Sequence, residues 1–262
     1  MSEDILQDDF SKQSIPHFLI IGAQKCGTTS LYNYLIQHPQ IIPALSKEVH
    51  FFDIYFEKGM DWYRNQFPSL ESKRWITGEA SPYYLFHPHA PKRIHQFIPK
   101  IKLIVLLRNP VDRAYSHYHH QVRMGTEPLS FNEAIKKEES RLKPERIEIL
   151  KNENYHSPIY QNCSYLARGR YVEQLKNWMN FFSMEQFLII RSEDFYSNPT
   201  LIFHRVLDFL GVQMLELKQY TKHNFGDYPK LNSQFRNELL TYFEPYNREL
   251  YDYLGVDFGW DK

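Results

Sequence analysis

The chain of 262 residues lacks three features that would assign it to particular classes of protein. Its only two cysteines, Cys26 and Cys163, cannot build a disulfide framework and fit the reducing cytoplasm. Its 31 basic residues equal its 31 acidic ones, which argues against a broadly basic nucleic-acid-binding protein but not against a local positive pocket. No apolar run approaches the ~20 residues needed to cross a bilayer, and the polar N-terminus has no signal-peptide pattern. We therefore expect a cytoplasmic protein with neither a nucleic acid nor a membrane as partner.

Length and composition predict a folded chain with one large core. The hydrophobic fraction of 42% and the charged fraction of 24% are close to globular averages, which excludes a wholly disordered chain. No internal repeat, low-complexity tract or linker divides the sequence. We expect a flexible N-terminal arm at residues 1–15 and a single domain at 16–262, a size that one hydrophobic core can serve.

Short apolar runs alternate with helical patterns along the chain. The runs at 17–21, 102–107 and 187–190 have the length and composition of buried parallel strands. Helical spacing and capping residues predict helices at 28–37, 112–123, 131–142, 171–182, 201–210 and 246–254. Strands that alternate with helices imply an α/β fold in which a parallel β-sheet is flanked by helices on both faces.

A loop suited to anion binding joins the first predicted strand to the first predicted helix. The segment from Gly22 to Ser30 reads GAQKCGTTS, and such a turn directs free backbone N–H groups and the positive helix end toward one point. Gly22 and Gly27 permit a tight backbone, Lys25 adds a positive charge, and three hydroxyl side chains follow. The glycine spacing is that of the nucleoside-triphosphatase loop G-x-x-x-x-G-K-[ST], but Thr28 occupies the lysine position.

The second predicted strand ends in a residue that argues against a metal-dependent kinase or nucleotidase. Those enzymes place a magnesium-binding aspartate at the end of the corresponding strand, whereas Arg108 follows the run at 102–107. A guanidinium at this edge of the sheet, with Ser116 on the next helix, would bind a second phosphate. Two phosphate sites at adjacent strand ends predict a nucleotide phosphorylated at both ends of its ribose.

Several motifs together resemble those of one enzyme family. They are KCGTTS at 25–30, KEVHFFD at 47–53, GEASP at 78–82, LRNPVDR at 107–113 with Ser116, and the closing residues Tyr246, Asn247, Tyr251, Leu254 and Gly255. With these motifs the chain resembles the sulfotransferases that use 3'-phosphoadenosine 5'-phosphosulfate, in particular the heparan sulfate N- and 3-O-sulfotransferases and their bacterial relatives. The resemblance extends over nearly the whole chain. It implies the P-loop-NTPase-like sulfotransferase fold, the product adenosine 3',5'-bisphosphate, and transfer without a metal.

The resemblance also implies which residues bind the donor. Those on the 5'-phosphate side are Lys25, Cys26, Gly27, Thr28, Thr29 and Ser30. Arg108 and Ser116 would bind the 3'-phosphate. The segment Phe225–Pro229, with Phe225, Gly226 and Tyr228, is similar to the late loop that closes over the nucleotide in this family.

The catalytic residues implied by the resemblance are Glu48, Lys25 and His50. Glu48 corresponds to the general base, which takes a proton from the acceptor hydroxyl or amine, a role typically worth ~10²–10⁴ in rate. Lys25 would stabilise the leaving phosphate. His50 would lie beside Glu48 in the acceptor site, either as a catalytic group or only to orient the substrate. Because Glu48 and His50 are at positions i and i+2, an extended backbone would place both side chains on one side.

Two departures from the family pattern concern the acceptor. Family members that act on glycosaminoglycans often carry lysine in the position of Ala80, and their late loop is more basic than one containing Asp227; both differences weaken the case for a highly anionic polysaccharide. We expect the segments 54–75 and 124–170 to line the acceptor cleft, with aromatic side chains that suit a carbohydrate or a flat secondary metabolite. A nucleotide- or glycan-binding module without activity and a P-loop kinase are the alternatives.

Two further patterns contain residue types that occur in reactive sites. His117 and His120 would share one helix face near His119, but no nearby cysteine or suitably spaced carboxylate completes a zinc-binding set. Cys26 lies in the anion-binding loop, where a helix N-terminus can lower the pKa of a thiol, yet nothing else builds a nucleophile site around it. We expect neither a metal nor a catalytic thiol.

Overall fold

The structure, a computed structural model, describes residues 15–70, 72–221 and 226–261, so the predicted arm lies outside the described residues except for Ile15. Its centre is a five-stranded sheet of β1 (Phe18–Gly22), β2 (Ile41–Pro43), β3 (Ile76–Glu79), β4 (Lys102–Leu107) and β5 (Phe187–Arg191). The strands are parallel, in the order β2-β3-β1-β4-β5. This arrangement confirms the predicted α/β fold class.

Ten α-helices connect and cover the strands in the described part of the chain. They are α1 (Thr28–Leu35), α2 (Gly59–Arg64), α3 (Ala90–Phe97), α4 (Pro110–Arg123), α5 (Phe131–Lys151), α6 (Pro158–Asn162), α7 (Tyr171–Met179), α8 (Ser192–Ser197), α9 (Pro199–Leu210) and α10 (Ser233–Leu254). Every residue of β1 and all but the first of β4 are buried. Since side chains alternate between the two faces of a strand, this burial means that both faces of the sheet are covered.

Two strands have no counterpart among the predicted elements. β2 is only three residues long, and β3 reads Ile-Thr-Gly-Glu, which is not an apolar run. β3 nevertheless lies inside the sheet, where it pairs with β1 and β2. A Cβ atom on Gly78 would lie 2.5 Å from the backbone oxygen of Phe18, so the close approach of the two strands requires glycine there.

The helix boundaries differ from those predicted mainly at prolines. The helix predicted at 131–142 continues through Pro144 to Lys151, and the one predicted at 246–254 begins at Ser233 and contains Pro245. Both prolines are exposed, so a backbone carbonyl that loses its helical partner there can bond to water instead. α4 begins at Pro110 because the side chain of Asn109 accepts hydrogen bonds from the first-turn amides.

A second apolar cluster is separate from the main core. It joins α4, α5 and α10 to the short segment before α7, through Val111, Ala114, Phe131, Ala134, Tyr165, Leu166, Leu239 and Phe243. The cluster fixes the segment 164–169 at the side of the sheet where β1 and β4 end. None of the helices in the described ranges has the length and apolar character needed to span a bilayer.

Candidate active site

A cleft of about 460 Å³ lies at the carboxyl ends of β1 and β4, which are adjacent strands. This is the edge at which open α/β sheets bind ligands. The residues that line it come from most of the chain: Gln24, Lys25, Gly27, Thr28, Thr29, Glu48, His50, Pro82, Tyr83, Arg108, Asp112, Ser116, His120, Gln161, Arg168, Ser192, Glu193, Tyr196, Gly226 and Tyr228.

The loop between β1 and α1 has the features of an anion-binding turn. Gly27 caps α1 with a φ of 102°, and a Cβ there would lie 2.8 Å from the Tyr196 hydroxyl, so glycine is required. No side chain caps α1, and its first turn contains no acidic residue. The positive end of the helix dipole at this turn therefore favours an anion.

Lys25 carries the positive side chain of this loop. Burial and the neighbouring charges of Arg123 and Arg108 lower its pKa to about 8. Like charges gathered in a partly buried site destabilise one another, and a bound anion relieves that repulsion. The loop is therefore an anion site by both its backbone and its side-chain charge.

A second cationic group stands at the end of β4. Arg108 and Ser116 both line the cleft, and the guanidinium of Arg108 donates to the backbone oxygen of Lys25 at 3.4 Å. The backbone of Arg108 is held in turn, since its carbonyl accepts a hydrogen bond from the Tyr171 hydroxyl at 2.9 Å. The structure thus brings the two predicted phosphate-binding features together on one cleft.

Two described residues that were predicted to bind the donor, Cys26 and Ser30, do not line the cleft. Both are fully buried, and the Cys26 side chain packs in the main apolar core. Phe225 lies outside the described residues. Gly226 and Tyr228 do line the cleft, and the Tyr228 ring stacks on His119 with centroids 4.4 Å apart.

Glu48 and His50 meet at the cleft, but not through an extended backbone. His50 has a φ of 54°, in the left-handed region, so the prediction of an extended segment was wrong. The left-handed turn directs the ring back to its neighbours: Nε2 lies 3.2 Å from Glu48 Oε2, and Nδ1 lies 2.8 Å from Asp53 Oδ2. Lys47 also forms an ion pair with Glu48.

These contacts fix the charge state of both groups. Burial disfavours the ionised form of Glu48, but the hydrogen bond from His50 and the charge of Lys47 outweigh it and lower its pKa to about 2. Burial opposes the charge on His50 too, yet its bonds to Asp53 and Glu48 raise its pKa to about 10. At neutral pH Glu48 is therefore an ionised carboxylate that can accept a proton, and His50 is a cation that cannot.

A buried network beneath this segment holds four successive backbone N–H groups. The carboxylate of Glu79 accepts from the N–H of Val49, and Ser81 Oγ accepts from that of His50. The Tyr84 hydroxyl accepts from the amides of residues 51 and 52 and donates to Glu79 at 2.8 Å. Burial raises the pKa of Glu79 to about 7, against the lowering effect of these bonds.

The remainder of the cleft wall was largely missed by sequence reasoning. Tyr83, His120, Gln161 and Arg168 line it, and only the last two come from the segments expected to do so. No described residue of 54–75 lines the cleft, because its aromatic side chains pack into the core around Phe51. No local sequence pattern predicts that Arg168 lines the cleft, because its position depends on packing between distant parts of the chain.

The histidines and the loop cysteine form no reactive site among the described residues. No group of three or more potential metal-ligating side chains is found in the described ranges. His117 is fully buried beside Tyr165, and His119 stacks on Tyr228. Burial raises the pKa of Cys26, the opposite of what a reactive thiolate requires.

Comparison with known proteins gives a consistent result. Residues 15–247 match the family described as the sulfotransferase domain. Heparan sulfate glucosamine 3-O-sulfotransferase 3A1 of Mus musculus is 33% identical over 98% of this chain and 67% of its own length. The membrane-associated sulfotransferase kil1 of Dictyostelium discoideum is 31% identical, over 95% of this chain and 67% of its own.

A solved structure extends the similarity to three dimensions. The crystal structure of a sulfotransferase from Alicyclobacillus acidocaldarius superposes with a TM-score of 0.75 at 33% identity, and the match covers 95% of this chain and 100% of the other. With the parallel sheet, the anion-binding loop and the family match over most of its length, the chain belongs to the sulfotransferase domain family and is a sulfotransferase with the P-loop-NTPase-like fold.

Proposed function

We propose that the protein transfers a sulfuryl group from 3'-phosphoadenosine 5'-phosphosulfate to a hydroxyl or amine of a carbohydrate or small-molecule acceptor. One observation carries the proposal: two cationic anion-binding features stand at the ends of adjacent strands, and an ionised carboxylate borders the same cleft. The residues fit a doubly phosphorylated donor. Lys25 and the first-turn amides of α1 would hold its 5' side, and Arg108 with Ser116 its 3'-phosphate.

In the transfer step the acceptor oxygen or nitrogen forms a bond to sulfur while the bond between sulfur and the 5'-phosphate oxygen breaks. Glu48 accepts the proton that the acceptor loses, which its ionised state permits. Lys25 stabilises the charge that grows on the leaving phosphate. His50 remains protonated and fixes the orientation of Glu48, so we assign it an electrostatic and orienting role rather than that of a base.

The carboxylates near Arg108 support transfer without a metal. Asp112 forms an ion pair with Arg236. Glu193 accepts hydrogen bonds from the backbone of Asn109 at 2.9 Å and from the Trp260 indole at 3.3 Å. Both carboxylates are thus engaged by protein donors, and the charge next to the proposed 3'-phosphate site is a guanidinium.

A carbohydrate is the favoured acceptor class. Relatives at about 30% identity are named for heparan sulfate glucosamine, which is a sugar acceptor. In this chain Ala80 is fully buried and supplies no group to the cleft, so a highly anionic polysaccharide would lack one expected cationic contact. Tyr83 lines the cleft but is only 3% exposed, so its ring supports the wall rather than offering an open stacking surface.

Calorimetric titration with adenosine 3',5'-bisphosphate tests donor binding. We expect binding that persists in EDTA and is weakened in Arg108→Gln, since that change removes a charged contact to phosphate. Arg205→Gln, an exposed position on α9, is the matched control and should bind as the wild type does. Tight magnesium-dependent binding of ATP without binding of the bisphosphate would support the kinase alternative instead.

Transfer is tested with donor labelled at the sulfuryl group and a panel of carbohydrate and phenolic acceptors. The label should move to at least one acceptor, and Glu48→Gln should reduce the rate about 10²-fold or more while leaving nucleotide affinity nearly unchanged. Transfer by Glu48→Gln at the wild-type rate would reject Glu48 as the base. Donor binding without any transfer would support the non-catalytic alternative.

A further inference from the structure

Arg168 is a buried cation on the wall of the cleft, separate from the residues assigned to the donor. Its side chain is part of the cleft lining although the residue is only 2% exposed. Nε donates to Ser164 Oγ at 2.9 Å, Nη1 to Gln24 Oε1 at 2.9 Å, and Nη2 to the backbone oxygen of Gln161 at 2.6 Å. All three partners are uncharged, and no carboxylate in the described ranges forms an ion pair with this guanidinium.

The position of this guanidinium is fixed by the surrounding backbone. The buried carboxylate of Glu138 accepts hydrogen bonds from the N–H groups of Leu166 at 2.7 Å and Ala167 at 2.8 Å. The hydroxyl of Tyr165 donates to Glu127 at 2.8 Å. Two acidic side chains from the α4–α5 region thus hold the segment on which the arginine stands, so its charge is pre-organised before any ligand binds.

A buried charge with only neutral partners is costly, and a bound anion would offset that cost. Each terminal nitrogen of the guanidinium carries two N–H groups, and within the described ranges each donates one of them to the protein, which leaves one on each for a ligand. Burial lowers the pKa of Arg168 to about 10, which keeps it charged at neutral pH. A carboxylate offers two oxygens to such a pair of donors.

The position of Arg168 in the cleft indicates that its guanidinium contacts the acceptor. Gln24 accepts a hydrogen bond from the guanidinium and directly precedes Lys25. Lys25 is the residue that is proposed to stabilise the leaving phosphate during transfer. The guanidinium also lies 4.7 Å from the centre of the Tyr83 ring, which lines the same wall. A ligand group bound here would therefore lie beside the reacting centre.

We propose that Arg168 is a specificity-determining residue that binds a carboxylate of the acceptor, with its guanidinium held against the buried ring of Tyr83. This inference rests on the proposed function and deepens it. The acceptor then carries a single carboxylate near the group that receives the sulfuryl, which is a narrower requirement than a polyanion. Arg168 binds and orients the acceptor and exchanges no proton with it.

Two matched probes test the assignment. p-Nitrophenyl β-D-glucuronide carries a carboxylate, and p-nitrophenyl β-D-glucoside has a neutral hydroxymethyl group in its place. Each is titrated into protein saturated with adenosine 3',5'-bisphosphate, which occupies the donor side. The glucuronide should bind wild-type protein about tenfold or more tightly than the glucoside. Arg168→Gln should remove that preference, and Arg168→Lys, which keeps the charge but not the fork, should retain part of it.

The control variant is Arg170→Gln. Arg170 is a neighbouring arginine that donates to the Tyr242 hydroxyl and does not line the cleft, so its loss should leave the preference for the glucuronide unchanged. Thermal unfolding of each variant identifies any that fails to fold, and the lysine variant then carries the test. Equal affinity of wild-type protein for the two probes, no binding of either, or a preference that survives in Arg168→Gln would overturn the proposal.

The same titrations separate this inference from the proposed function. The nucleotide titration that precedes each probe reports the donor site alone. If the nucleotide does not bind, the proposed function fails, and the probe titrations are repeated on nucleotide-free protein. There a glucuronide preference that disappears in Arg168→Gln still identifies a carboxylate site, whereas its absence overturns the inference as well.

Discussion

The buried carboxylate of Glu79 accepts a hydrogen bond at 3.2 Å from the backbone N–H of Val49, the residue between Glu48 and His50. Glu79 ends β3, so this bond ties the segment that carries the proposed base directly to the sheet. Because the carboxylate is completely buried, it must keep its donors to remain in place. The bond therefore connects β3, a strand that the sequence did not predict, to Glu48, the base that the sequence did predict.

Tyr84 and Tyr63 provide a matched test of this network. Both hydroxyls donate to Glu79, but only that of Tyr84 also accepts from the amides of Phe51 and Phe52. Tyr84→Phe should accelerate amide exchange at residues 51 and 52 and lower the free energy of unfolding by about 1–3 kcal/mol, since it leaves buried donors unpaired. Tyr63→Phe should leave the exchange of those amides unchanged.

The two variants should also differ in catalysis. Tyr84→Phe loosens the segment that holds Glu48, so kcat should fall while the affinity for adenosine 3',5'-bisphosphate stays near the wild-type value. Tyr63→Phe should keep the wild-type kcat. Equal amide exchange and equal kcat in the two variants would show that the bonds from Tyr84 do not position the proposed base.

The strands that the sequence could predict are those whose neighbouring residues form a pattern typical of only one kind of element. β1 and β4 are buried on both faces, so they appear as continuous apolar runs. β3 also lies inside the sheet, but it is not an apolar run. Gly78 is required because a neighbouring strand approaches closely, and Glu79 is required because distant tyrosine hydroxyls donate hydrogen bonds to it. Neither requirement is visible in the neighbouring residues.

The residues of the site differ in the same way: some are predicted by local motifs, and others depend on contacts between distant segments. The donor-side residues lie in short motifs that directly follow strands, so sequence alone brought Lys25 and Arg108 to one edge of the sheet. Arg168 reaches the cleft because the second apolar cluster and Glu138 hold its segment there. His50 was assigned to the site, but its left-handed backbone could not be foreseen in a non-glycine residue.

The charge on Lys25 should give nucleotide binding a defined pH dependence. Its pKa of about 8 in the free protein means that it is protonated below pH 8 and loses its charge above it. Affinity for adenosine 3',5'-bisphosphate should therefore fall as the pH rises from 7 to 9.5. Lys25→Met should bind about 10–100-fold more weakly at pH 7 and show a flatter profile.

Calorimetric titrations across this pH range check the prediction. Lys92→Met is the control, because Lys92 is an exposed residue that pairs with Glu153 and does not line the cleft. It should reproduce the wild-type profile. A profile in Lys25→Met as steep as that of the wild type would mean that another group causes the pH dependence.

Lys47 should set the basicity of Glu48. The ion pair with Lys47 is one of the contacts that lower the pKa of Glu48 to about 2. Removing that charge in Lys47→Met should raise the pKa of Glu48 toward its ordinary range, so that its protonation occurs at higher pH. Carbon-13 NMR of glutamate-labelled protein follows the carboxylate directly and needs no acceptor.

The control for this measurement is Lys58→Met. Lys58 lies over the rings of Tyr55 and Trp62, outside the lining of the cleft. Its removal should leave the titration of Glu48 as in the wild type. If Glu48 titrates identically in the wild type and in Lys47→Met, the ion pair does not control its basicity.

His50 should make stability depend on pH on the alkaline side. Its folded-state pKa is raised from 6.5 to about 10, so its stabilising contribution is fully present below pH 6.5 and is lost as the pH rises through 10. His50→Gln should therefore be less stable than the wild type at pH 6, by roughly 1–3 kcal/mol, and this difference should shrink toward pH 10. Urea unfolding at several pH values measures it, with His95→Gln, an exposed position on α3, as the control. A deficit in His50→Gln that stays constant between pH 6 and 10 would mean that the charge on the ring does not stabilise the fold.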